Sequence, residues 1–173
     1  MKARILVWLV ALFCCHNASF AQKEFVNTSV RLSGHPRILL QKGEEKALKK
    51  VIMKDAVWKD IHQSLVDEAG EIVKLPLNER IKTGRRLLSV SRENLRRIFI
   101  LSYAYRMTGK SEFLKRAESE MLKAASFSDW NPSHFLDVGE MTMALAIGYD
   151  WLYPQLSVQT KREIENAIVE KGL

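Results

Sequence analysis

Cysteine is almost missing from this chain, and the two it has, Cys14 and Cys15, stand side by side near the N-terminus. If the leader described below is removed, no thiol is left, which excludes disulfides and cysteine-ligated metals from the mature protein. Proline is as sparse: Pro36, Pro76, Pro132 and Pro154 are the only four, and each falls between stretches of helical periodicity, never inside one. No apolar run reaches the roughly 20 residues that a membrane-spanning helix needs. Phosphate-binding glycine loops, nucleophile elbows and zinc-protease helices are absent too. A metal held by His134, Asp137 and Glu140 is not expected, because three-residue spacing drifts around a helix and no second histidine is close. We expect no cofactor.

What is present begins with a leader. "MKARILVWLVALFCCHNASFAQ" has basic Lys2 and Arg4, an apolar run from Ile5 to Cys15, and small residues at Ser19 and Ala21. This pattern is that of a signal peptide over residues 1–21, cleaved after Ala21. The protein is therefore expected to be exported, periplasmic or secreted, with no stable membrane anchor after cleavage. Its formal charge is +7, and only Lys2 and Arg4 of its basic residues leave with the leader. A basic exported chain suits either a polyanionic partner other than nucleic acid, such as an acidic polysaccharide, or simply a solvated basic surface. The sequon at Asn27 is a weak glycosylation signal.

Residues 22–40 read as an extended arm ending in "SGHPRILL", and residues 41–173 as helices. "KGEEKALKKVIMKD" places acids first and lysines last, with the dipole. From Asp55 to Val73, apolar residues recur at helical spacing, and Pro76 stops the run. Ser91, Ser111, Ser133 and Ser157 are each in position to cap a following helix. Gly109 is in position to end one. The later helices alternate between broadly apolar and charged amphipathic. Ser91 lies 42 positions before Ser133, and Ser111 lies 46 before Ser157. That spacing marks stacked α/α hairpins, either an open solenoid or part of a toroid. The fold class expected is all-α.

The stretch "DWNPSHFLDVGEMTMALAIGYDWLY" concentrates the chemistry. On a helical wheel His134, Asp137 and Glu140 share one arc, which Met141, Ala144, Gly148 and Trp151 continue, as the wall of an occupied groove would; alternatively His134 and Asp137 simply cap and polarise the helix start. Trp130, Asn131, His134, Asp137, Glu140 and Trp151 are the expected substrate-binding residues. Arg85, Arg86, Arg92, Arg96 and Arg97 cluster around the start of one helix, where they can meet carboxylates or sulfates, or form a solvated face.

Two stretches carry a resemblance. "SGHPRILL" and "WNPSHFLDVGEMTMALAIGYDWLYPQLS" resemble the N-terminal helical domain of heparinase II/III-like polysaccharide lyases, the second more specifically. The resemblance implies an incomplete (α/α) toroid followed by a β-sandwich domain. It also implies action on uronic-acid polysaccharides, heparan sulfate-like or alginate-like, by β-elimination: a base takes the C5 proton and the C4 oxygen leaves. In that family an Asn–His pair on the next inner helix, with later Tyr and His residues, performs these steps. No such pair occurs here, so catalytic residues are expected beyond Leu173 and none within this chain. The alternative is a non-catalytic α/α repeat module binding a polysaccharide or a partner protein, or an inactive remnant.

Overall fold

The structure is a computed structural model and describes residues 34–173. The leader, the sequon at Asn27 and the arm up to residue 33 lie outside the described residues. Six helices follow one another: α1 (Glu45–Lys54), α2 (Ala56–Lys74), α3 (Leu88–Thr108), α4 (Ser111–Ala125), α5 (Phe135–Leu152) and α6 (Val158–Gly172). There is no strand among the described residues; one isolated bridge joins Thr83 and Arg86. The all-α class is as expected.

The helices pair as hairpins in two layers. α1, α3 and α5 form one layer and α2, α4 and α6 the other, each helix touching its hairpin mate and its neighbour in the layer. Neither α1 nor α2 reaches α5 or α6, so the array is an open arc over the described residues.

The helix boundaries show which local signals prevailed. The Asp55 side chain caps α2 by accepting from the Val57 and Trp58 amides at 2.8 and 3.2 Å. Ser157 caps α6 through the Thr160 amide at 3.0 Å. Gly109 ends α3 at φ 76°, where a side chain would be strained. The other three serines are corrections. Ser91 lies inside α3, which starts at Leu88, and its hydroxyl turns to the Leu88 carbonyl at 3.1 Å and to Glu140 at 3.0 Å. Ser111 is the first residue of α4, after an extended Lys110, and does not cap it. Ser133 turns its hydroxyl to Asn131 Oδ1 at 3.1 Å, leaving His134 at the cap position of α5.

The core lies between the layers, while the most extensive helix contact, α3 against α5, runs within one layer. Fully buried Ile98 and Leu101 belong to α3, and Met141, Ala144 and Leu145 to α5. Gly148 lets the elements close in: a methyl group there would sit 2.5 Å from Met121 Sδ and 2.6 Å from Ile98 Cγ2. Glu120, the one fully buried glutamate among the described residues, meets Arg116 Nη2 at 2.6 Å and Arg97 Nη1 at 3.2 Å through a single oxygen. The same guanidinia donate to the carbonyls of Val73 and Pro76 at 2.9 and 2.7 Å, tying the end of α2 to α3 and α4. Removing one member of such a buried network strands the others without partners.

Apolar surface is left open on several helices. Met53, Val57, Trp58 and Ile61 are exposed on α1 and α2, and Phe135, Leu136 and Met143 form an exposed stripe on α5.

Replacing Gly148 by Ala is expected to destabilise the fold by about 1–3 kcal/mol, because Ile98 is β-branched and cannot swing aside freely. Gly139→Ala, on the open side of the same helix with nothing within 4 Å of the added methyl, is expected to be neutral or stabilising by up to about 1 kcal/mol. Thermal unfolding of both variants checks the pair; equal effects would show that the close approach at Gly148 does not matter.

Candidate functional site

α5 carries three acidic residues along 18 positions, and the structure gives each a distinct task. Asp137, fully buried in the first turn, accepts from the Leu87 amide at 2.7 Å and from Asn131 Nδ2 at 2.6 Å, and lies 2.8 Å from His134 Nδ1. Burial works against its charge, but the hydrogen bonds from Asn131, Leu87 and His134 outweigh it and hold the carboxyl below its ordinary value. An ionised carboxylate only accepts, so His134 Nδ1 is the donor in this pair. Glu140 takes the Ser91 hydroxyl at 3.0 Å and Arg92 Nε at 3.0 Å, linking α5 to the start of α3.

The loop before α5 is built around Asn131, which is buried at φ 60°. Its amide donates to Asp129 Oδ1 at 2.7 Å, and its side chain donates to the Arg85 carbonyl at 2.9 Å. Asp129 is itself paired with Arg80 at 2.5 Å, and that guanidinium is the main cause of its lowered pKa. Trp130 is fully buried, with Nε1 on the Ala124 carbonyl at 3.1 Å.

The far end of α5 holds the arm. Asp150 lies 2.6 Å from His35 Nδ1 and accepts from the Arg37 amide at 2.9 Å and the Ile38 amide at 3.0 Å. His35 stacks on Tyr153 at 4.0 Å between ring centres. Its Nε2 accepts from the Arg37 guanidinium, which has only donors to offer. Trp151 Nε1 donates to the Ile38 carbonyl at 2.9 Å, and Arg106 lies over the indole at 5.1 Å while binding Glu45. A cavity of about 300 Å³ opens beside this joint, lined by His35, Lys42, Tyr105, Arg106 and Trp151 among others. Tyr149 binds Glu165; burial, reinforced by that carboxylate, pushes its hydroxyl pKa up, away from a ready acid or base.

These placements correct the expected groove wall. The arc of Asp137, Met141, Ala144, Gly148 and Trp151 is buried; α3 is the main partner of α5. Of the six expected substrate-binding residues, Trp130, Asn131, Asp137 and Trp151 are buried and engaged with the protein itself. Glu140 is committed to Ser91 and Arg92. His134 lines an open recess of about 210 Å³ with Ser133, Arg85 and Arg86. Asp150 was missed by sequence reasoning, although an aspartate inside "IGYDWLY" without a nearby basic residue signals a distant partner.

No helix among the described residues is long and apolar enough to cross a membrane. No group of three metal-ligating side chains occurs among the described residues. The chain matches no protein-family model and no curated protein.

Two outcomes test the clamps. Because the folded pKa of Asp137 is depressed, its contribution is complete above the ordinary value of 3.8 and is lost as pH falls through the depressed one. Asp137→Asn should therefore lower unfolding free energy by about 1–3 kcal/mol at neutral pH and flatten its decline below about pH 4; denaturant titrations at neutral pH and at about pH 3 measure both. Asp150→Ala should free the arm, seen as faster limited proteolysis between residues 34 and 44 with helix content unchanged by circular dichroism.

Proposed function

We propose that this chain is the N-terminal helical portion of an exported polysaccharide lyase of the heparinase II/III-like kind, acting on uronic-acid polymers. It supplies part of the substrate cleft and leaves the proton transfers to residues outside it. One observation carries the reading. The two stretches that bear the resemblance come together at Asp150, where the arm's His35, Arg37 and Ile38 meet the "GYDWLY" end of α5. Independent chance matches have no reason to share one joint.

The open two-layer hairpin array is compatible with a portion of a toroid, in which α3 and α5 would be inner helices and α2, α4 and α6 outer ones. β-Elimination needs a base, an acid and a group that neutralises the uronate carboxylate. Arginines near His134 are suited to the last of these tasks. Tyr149, bound to Glu165, is poorly suited to the first two.

The purified chain is expected to be retarded in gels containing alginate or heparan sulfate but not a neutral glucan, and the retardation should weaken with salt. It should release no unsaturated uronate, measured by ultraviolet absorbance. Equal mobility in acidic and neutral gels would defeat the polyanion reading, and product formation would defeat the proposed division of labour.

A further inference from the structure

Five arginines cluster around the start of α3, and three of them are already engaged. Arg92 holds Glu140 at 3.0 Å, Arg96 holds Glu93 at 2.7 Å and also Glu68, and Arg97 holds Glu93 at 2.6 Å and Glu120 at 3.2 Å. The two arginines set Glu93 to about 2, Arg96 first, so that pairing is in force at any ordinary pH. Arg85 and Arg86 are different: both are exposed, and neither side chain makes a hydrogen bond or ion pair among the described residues.

Exposed arginines are usually only solvated, but these two leave a backbone that is fixed on every side. Thr83 and Arg86 exchange amide hydrogen bonds of 2.9 and 3.2 Å around Gly84 at φ 60°. The Arg85 carbonyl is held by Asn131, and the Leu87 amide by Asp137. Buried groups of the α5 loop thus position the Arg85–Arg86 pair, which reduces the ordering cost of a ligand.

His134, held by Asp137 through Nδ1, lines the same recess as the pair. With Nδ1–H donating to Asp137, Nε2 is the nitrogen left for a ligand and accepts whenever the ring is unprotonated; it makes no hydrogen bond among the described residues. The nearby carboxylates do not compete for the arginines: Asp137 has three donors, Asp129 has Arg80, and Glu140 has Arg92 and Ser91.

We infer that this recess binds one acidic sugar unit, its carboxylate or sulfate on Arg85 and Arg86 and a neighbouring hydroxyl donating to His134 Nε2. Planar guanidinia match an oxyanion in charge and geometry. A neutral sugar would keep only the weaker hydroxyl contact. The inference rests on the polyanion partner proposed above and gives it a location, Arg85 and Arg86, that helical periodicity did not single out.

The test uses glucuronate, inorganic sulfate and glucose as separate probes, followed by the ring resonances of His134. Glucuronate or sulfate should produce saturable shifts and glucose none; the tighter of the two anions identifies carboxylate or sulfate as the group read. Arg85→Gln with Arg86→Gln should weaken binding about tenfold or more, while Lys82→Gln, an exposed charge on the same connector outside the recess, should leave it within about twofold. Absence of saturation, or equal losses in both variants, would overturn the site. Polymer retention unchanged in the double arginine variant would refute the site and spare the polyanion reading. Small-anion binding at His134 without polymer retention would do the reverse.

Discussion

Two aspartates on one apolar helix hold the non-helical parts of this protein in place. Asp137 and Asp150 lie about 20 Å apart along α5, at a rise of about 1.5 Å per residue. Each accepts backbone amides from a segment distant in sequence: Leu87 from the connector before α3, and Arg37 with Ile38 from the arm. The arrangement answers two needs together. Loop amides buried against a core must find acceptors, and a carboxylate on a buried helix must find donors. A backbone amide satisfies both without adding a second charge to the interior.

The connector gains most from this. It crosses from α2 to α3 without regular structure over 75–87, and a free segment of that length would be mobile. Asn131 and Asp137 hold its last part, while Arg80 holds the loop before α5 through Asp129. The buried Glu120 network fixes its beginning, since Arg97 and Arg116 both donate to Pro76. Between those anchors the chain presents Arg85 and Arg86 to solvent beside His134. Positioning of charge by buried hydrogen bonds elsewhere is how a loop acquires the rigidity a binding site needs.

The helices were legible in the sequence because their signals are local. Periodic apolar residues, four prolines outside the helices, Gly109 and the cap Ser157 all act within a few residues of themselves. The cap assignments for Ser91, Ser111 and Ser133 failed because those helices start without a side-chain cap, and the hydroxyls of Ser91 and Ser133 turn to Glu140 and Asn131 instead. The α5 arc misled for a related reason. Polar residues followed by small ones read as a groove, but Asp137 accepts the Leu87 amide and the Asn131 side chain inside the protein, and Gly148 is small because Met121 and Ile98 fill the space. A helical wheel gives the spacing of a face and says nothing of what lies against it.

By itself the sequence determined an all-α chain of paired helices, their approximate limits, a surplus of basic residues, and a titratable cluster at the start of α5. Which of those groups stay available to a ligand was decided only by the tertiary structure. Periodicity cannot distinguish Arg85 and Arg86 from Arg96 and Arg97, since all four are arginines in one basic stretch. The distinction arises because α2 and α4 bring Glu68 and Glu120 to the second pair, and no carboxylate among the described residues to the first. Charge is a property of the residue, whereas availability of charge depends on the partners that folding brings near it.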